Sequence, residues 1–128
     1  MNGGKTVNVF VYGTLQQGLI AHDKLAGRGA RFLGRAEVDG YALYNLGWYP
    51  GIIPDETERV LGEAYEIDEP TLQALDLYEG EGTLYRRCLA DVRLQDGEVI
   101  KAYVYVYNQT VNPQNKVPME QQPWRRGE

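Results

Sequence analysis

The sequence predicts an α+β fold: a small, mixed but mostly antiparallel, barrel-like sheet carrying two or more short helices. Three observations carry that expectation. About six short segments are rich in β-branched and aromatic residues, as strands are. Two of them, residues 84–94 and 98–107, flank the turn Gln95-Asp96-Gly97 and alternate in polarity, which suits an antiparallel hairpin. Residues 69–80 carry helix punctuation at both ends. Many short strands with few helices between them suit a sheet that curls on itself.

Taken in order, Val7-Asn8-Val9-Phe10-Val11-Tyr12 is a strand, with Gly13 and Gly18 bracketing the turn after it. Residues 19–26 suit a short helix with Leu19, Ile20 and Leu25 on its apolar side, ended by Gly27 and Gly29. Residues 31–39 and 41–46 are expected to pair as strands around Gly40. Gly47-Trp48-Tyr49-Pro50-Gly51 has the glycine and proline content of a loop, and the polar residues 52–59, with Pro54, are expected to be exposed. Strand character returns at residues 60–67. In the helix that follows, Asp68 or Glu69 caps the start and Pro70 fits the first turn, where its missing N–H is harmless. Leu72 and Leu75 share a face and Gly80 ends the run. In the hairpin, Leu84, Cys88, Ala90, Val92 and Leu94 form one face of the first arm, with Arg86 as the exception; Tyr85, Arg87, Asp91 and Arg93 form the other. Tyr103, Tyr105 and Tyr107 make a stripe along the second arm, more typical of a packing ladder than of a ligand cage. All 128 residues are expected to form one domain, with 108–128 an irregular or mobile tail because Pro113, Pro118 and Pro123 break any pattern.

Composition narrows the function classes. A net charge of −5 does not suit nucleic-acid binding or an acidic membrane, and no apolar run approaches a membrane span. Met1-Asn2-Gly3-Gly4-Lys5 lacks the apolar stretch of a signal peptide, so cytoplasmic residence is the default expectation. The chain contains no serine, which excludes a Ser-His-Asp triad, and one cysteine with one histidine cannot build a Cys/His metal cage. A Cys88–His22 thiol dyad is formally open, but Cys88 falls on an apolar strand face. Proton transfer would then fall to a carboxylate, a tyrosine or a lysine.

Glu79 is the first candidate. It lies four residues after Leu75, so helical spacing places it on the apolar side of the last turn. Burial there, and the negative end of the helix, would raise its pKa and make it a better base near neutrality. The alternative is a frayed end with Glu79 in water. Tyr12-Gly13-Thr14-Leu15, directly after a strand, is the second candidate, because such a turn can align backbone N–H groups into an anion-binding nest. Its alternative is a plain strand-to-loop turn; it is not a P-loop. Tyr85 and Arg87 share a strand face: Arg87 can pair with Glu79 or with a substrate carboxylate, and Tyr85 can wall a pocket, or both can belong to an exposed polar face. Glu63, in mid-strand, is either a second polar pocket residue or a solvent-facing one. The Trp124-Arg125-Arg126 cluster is too short to argue for nucleic acid.

Five motifs occur in a recognisable order: Val9-Phe10-Val11-Tyr12-Gly13-Thr14-Leu15, Gly47-Trp48-Tyr49-Pro50-Gly51, Val60-Leu61-Gly62-Glu63-Ala64-Tyr65, Leu75-Asp76-Leu77-Tyr78-Glu79-Gly80 and Tyr85-Arg86-Arg87. Together they resemble the γ-glutamylcyclotransferase-like family, which includes AIG2-like proteins and γ-glutamylamine cyclotransferase, and the resemblance extends over residues 7–107. The resemblance implies a small mixed barrel with a central cavity and an enzyme that cyclises a γ-glutamyl group to 5-oxoproline, releasing an amine or amino acid. It implies Glu79 as the catalytic residue and Tyr12, Gly13, Thr14 and Leu15 as the substrate-holding loop; Tyr49, Tyr85, Arg87 and Tyr105 are the further candidates for substrate binding. Leu84-Tyr85-Arg86-Arg87 resembles the γ-glutamylamine-acting branch more than the glutathione-degrading one. The implied partner is a small γ-glutamyl compound, with no cofactor, metal, nucleic acid or membrane. A different class, a non-catalytic small-molecule-binding or regulatory module that keeps the family pocket, stays open because folds are shared between functions.

Overall fold

The computed structural model describes residues 5–125. The reading of Met1–Gly4 as lacking a signal peptide, and the contribution of Arg126 to the basic cluster, lie outside the described residues. The elements are β1 (Thr6–Val11), α1 (Asp23–Ala26), β2 (Arg31–Asn45), β3 (Pro50–Asp68), α2 (Glu69–Glu79), β4 (Tyr85–Leu94) and β5 (Val99–Tyr107), followed by single 3-10 turns at Pro113–Asn115 and Met119–Gln121. The strands form a closed barrel in the order β1-β3-β2-β4-β5. Neighbours run antiparallel except where β1 meets β5, a parallel contact at Val9 and Tyr103 that closes the ring.

β1 has no polar alternation beyond Asn8 because both of its faces are covered. Val9, Phe10 and Val11 are all buried. Phe10 joins Val38, Leu43, Ile52, Val60, Val92 and Val104 inside the barrel. Val9 and Val11 face outward and join Leu25, Ile67, Leu72 and Leu75 in a second core between the barrel and the helices. A strand hidden on both sides is expected to be continuously apolar, as this one is.

Two expectations about strands are corrected. Residues 31–39 and 41–46 are one strand, β2, and not a pair. Gly40 adopts φ +89°, which lets the strand continue past an irregularity where the pairing steps from Asp39–Arg59 to Tyr41–Pro54. Residues 55–58 bulge out of β3 opposite it, and Asp55 Oδ1 accepts from Thr57 N at 3.0 Å to close the bulge locally. The segment 52–59 is therefore part of the 19-residue β3, with Ile52 fully buried in the core. Likewise the β2–β3 connection spans only residues 46–49, since Pro50 and Gly51 already belong to β3. The helix expected over 19–26 shortens to four residues, and Ile20 is 82% exposed; residues 14–22 are held by tight turns, including Ala21 N to Thr14 O at 2.9 Å.

α2 forms as its punctuation predicts. Asp68 Oδ1 accepts from Thr71 N at 2.9 Å, Pro70 sits in the first turn, and Gly80 takes the left-handed conformation that ends the helix. Leu72 and Leu75 are its buried apolar positions. Asp68→Ala is expected to lower the thermal midpoint by a few degrees without moving activity at low temperature, read by circular dichroism against an activity assay. The irregular segment after β5 is anchored on the barrel: Trp124 is only 3% exposed, and its carbonyl accepts from the Gln16 side chain at 3.1 Å.

Candidate active site

α2 packs over Tyr85 of β4 and Tyr105 of β5, so of the two readings of the Tyr85 face, pocket wall or exposed polar surface, the exposed one does not hold for Tyr85. Tyr85 and Tyr105 are buried under the helix. A cavity of about 260 Å³ opens beside them. Its wall includes Tyr12, Gly13, Thr14 and Leu15 directly after β1, Tyr49 from the β2–β3 connection and Pro50 from the start of β3, Tyr78 and Glu79 from the last turn of α2, and Tyr85 and Tyr105 from the hairpin. Eight of the residues singled out in the sequence therefore meet at one hollow. Arg87 does not line it. Its Nη1 donates to Asp76 Oδ2 at 2.5 Å and its guanidinium lies over the Tyr103 ring at 4.8 Å. Pairing with Glu79 is thus replaced by pairing with Asp76, one helical turn earlier.

Glu79 reaches the cavity because Gly80 stops the helix immediately after it, leaving the last turn to face the hollow. Among the described residues, no hydrogen bond or ion pair reaches its carboxylate. Burial pushes its pKa up from 4.5 to about 7. A carboxylate in this environment exchanges protons readily near neutrality.

The opposite wall is the Tyr12–Leu15 loop. Gly13 is required there by close approach: a Cβ at this position would lie 2.8 Å from Pro50 Cδ. Gln16 N donates to Gly13 O at 3.1 Å and Ala21 N to Thr14 O at 2.9 Å, which hold the carbonyls on the far side of the loop. Among the described residues, none of the hydrogen bonds is donated by the N–H of Gly13, Thr14 or Leu15. Successive N–H groups without internal partners are chemically able to receive an anion.

The tyrosines hold the walls. Tyr12 Oη donates to Tyr105 O at 2.6 Å, Tyr85 Oη to Pro50 O at 2.6 Å, and Tyr105 Oη to Asp76 Oδ1 at 2.7 Å. Burial, reinforced by nearby negative charge, pushes all three phenols above their ordinary pKa, so they stay protonated and act as donors. Tyr78 was not singled out in the sequence. Its hydroxyl lies 2.7 Å from Thr14 Oγ1 and joins the helix end to the loop across the cavity mouth. The available signal was its place beside Glu79. Tyr78→Phe is expected to raise KM about three- to tenfold with kcat little changed, because one loop-positioning hydrogen bond is removed; steady-state kinetics checks this.

Other candidates fall elsewhere. Glu63 is buried rather than solvent-facing, but it lines a different cavity. His22 Nδ1 lies 3.0 Å from Leu15 O, and Cys88 Sγ 3.9 Å from Arg86 O; no contact joins the two among the described residues, so no thiol dyad forms. Among the described residues there is no group of three or more His, Cys, Asp or Glu side chains able to hold a metal, and no helix is long and apolar enough to cross a membrane.

A closed barrel with a carboxylate facing a turn of unpartnered amides across one hollow suits the class of small-molecule-processing proteins. Within that class, the chain belongs to the gamma-glutamyl cyclotransferase, AIG2-like family, which matches residues 9–126. It is similar to the gamma-glutamylcyclotransferase family protein YtfP of Escherichia coli strain K12, 36% identical over 106 residues that cover 83% of this chain and 87% of that one. Among solved structures, an AIG2-like protein from Mus musculus aligns with a TM-score of 0.74 and 29% identity, over 86% of this chain and 82% of that chain. An uncharacterized protein from Pyrococcus horikoshii aligns with a TM-score of 0.68 and 31% identity, over 87% and 85%.

Proposed function

We propose that this protein is a γ-glutamylcyclotransferase that converts a γ-glutamyl amine or γ-glutamyl amino acid to 5-oxoproline and a free amine. The observation that carries the reading is that Glu79 and the amides of Gly13–Leu15 line the same cavity. The turn holds the substrate's α-carboxylate through backbone N–H groups. Glu79 takes a proton from the α-ammonium. The freed amine nitrogen attacks the γ-carbonyl carbon of its own chain and closes a five-membered ring. As the bond from that carbon to the leaving nitrogen breaks, Glu79 returns its proton to that nitrogen, and the second proton that the ring nitrogen must shed passes to the departing amine, which leaves as its ammonium. Base and acid are the same group, so the enzyme ends each turnover in its starting state.

Because the reaction is intramolecular, the enzyme's main contribution is to hold the substrate folded. Good orientation can lower such a barrier by roughly 7–11 kcal/mol. Tyr49, Tyr85 and Tyr105 supply apolar wall, and their ring faces suit the methylenes of a glutamyl chain. The test is incubation with a panel of γ-glutamyl amines and γ-glutamyl dipeptides, scored for 5-oxoproline by mass spectrometry. Product from at least one class supports the reading. Binding of the panel without any product would overturn it in favour of a binding module.

A further inference from the structure

A second cavity, of about 390 Å³, lies on the other side of the substrate-loop region and shares no lining residue with the first. Gln16, immediately after Leu15, lines it. Gln16 is fully buried, and its Oε1 has no hydrogen-bond partner. Its orientation is fixed, because Nε2 donates to Tyr12 O, Gly13 O and Trp124 O at 3.1, 3.2 and 3.1 Å. Turning the amide over would set an oxygen against three carbonyls. The orphaned acceptor is therefore a fixed property of the site, and a buried acceptor left unpaired is destabilising.

Glu63, also buried, lines the same cavity. Its Oε1 accepts from Gln17 N at 2.9 Å and Tyr65 Oη at 3.0 Å, while Oε2 accepts no hydrogen bond among the described residues. The buried end thus offers two acceptors, one of them charged, and no donor to meet them. The rim carries the opposite charge. Arg35, exposed, and Arg125, half-buried, line it. Arg93 also lines it but is bound to Glu37 and Asp39. Arg35 has no ion pair among the described residues, and Arg125 Nη1 meets only the carbonyl of Trp124 at 3.2 Å.

We infer that this second cavity binds a small α-amino-acid zwitterion, its ammonium directed inward to Glu63 and Gln16 and its carboxylate outward to Arg35 and Arg125. An ammonium brings three donors and one positive charge to two unmet acceptors. A carboxylate matches the guanidinium forks at the rim. A bare cation would leave the arginines unmet, and a bare anion would face Glu63.

L-Alanine is the probe, since it has both charges and no γ-glutamyl group to be processed. Binding is read by two-dimensional NMR on the full chain, following the Gln16 side-chain amide and the Trp124 indole. The expected result is saturable binding in the wild type, retained in Glu79→Gln, and weakened about tenfold or more in Arg35→Gln and in Glu63→Gln. Ethylammonium and propionate are expected to bind at least about tenfold more weakly than L-alanine. Glu63→Gln keeps a carbonyl for Gln17 and Tyr65; should it fail to fold, Arg35→Gln, at an exposed position, carries the test alone. No saturable shift with L-alanine up to ~10 mM would overturn the inference. So would wild-type affinity in Arg35→Gln, loss of binding in Glu79→Gln, or propionate binding as tightly as L-alanine.

Discussion

Glu79→Gln is expected to lower turnover by about 10²–10⁴-fold, the usual contribution of a positioned general base, while leaving the barrel intact. The same substitution is expected to stabilise the protein at pH 8. Glu79 has a folded-state pKa of about 7, raised by burial from 4.5. Between those two pH values the folded state holds a proton that the unfolded state has released, so stability falls as pH rises. Below about pH 4.5 both states are protonated and there is no penalty; above about pH 7 the full penalty applies, on the order of 3 kcal/mol. Glutamine carries no charge and removes it. Urea denaturation of wild type and variant should therefore diverge from about pH 5 upward and level off at about pH 8. In the wild type, kcat/KM should rise through about pH 7 as Glu79 ionises. A variant with wild-type turnover, or stability curves that stay parallel, would remove Glu79 from the mechanism or from the buried environment respectively.

The second large effect is expected at Gly13→Ala. The added methyl would stand 2.8 Å from the Pro50 ring, so the loop or the start of β3 must shift. Overpacking of this kind costs about 1–3 kcal/mol of stability. The shift also moves the amides of Gly13–Leu15 relative to Glu79, and a misplacement of about 1 Å lowers kcat/KM on the order of 10²-fold. Gly18→Ala is the control. A Cβ there meets nothing within 4 Å, although φ is +82°, so it applies backbone strain to the same loop without the clash. Kinetics on both variants separates crowding at Pro50 from general loosening of the loop: comparable losses in the two would argue against the clash.

The parts of this architecture that were legible in the sequence are those whose signal is local. Asp68, Pro70 and Gly80 mark the ends of α2 without reference to the rest of the chain, and the spacing from Leu75 places Glu79 inward. Alternation in 85–94 and 99–107, with Asp96-Gly97 between, defines the hairpin. Gly40 misled because a glycine with positive φ serves a hairpin turn and a strand irregularity equally well; only the partner strand, with residues 55–58 bulging opposite, decides between them. The tyrosine face stayed open between pocket wall and exposed surface for a related reason. Alternation tells which side chains share a face, not what lies over that face, and α2 covers Tyr85 and Tyr105. Arg87 and Asp76 are eleven residues apart, on different elements, and meet only once the helix is laid across β4. The orphaned oxygen of Gln16 is invisible in the sequence, because it arises from three carbonyls converging on the other end of the same amide.

Closure of the ring by β1 against β5 has a consequence for how the molecule is made. A ribosome delivers β1 before every other strand of the barrel and β5 after them all. Until then the nascent sheet has an unzipped seam, with the backbone of β1 open on one side. Such a seam invites pairing with a neighbouring polypeptide, and the ends that must find each other are nearly the whole length of the sheet apart in sequence. Messages truncated before β5 should therefore yield aggregates rather than smaller soluble barrels.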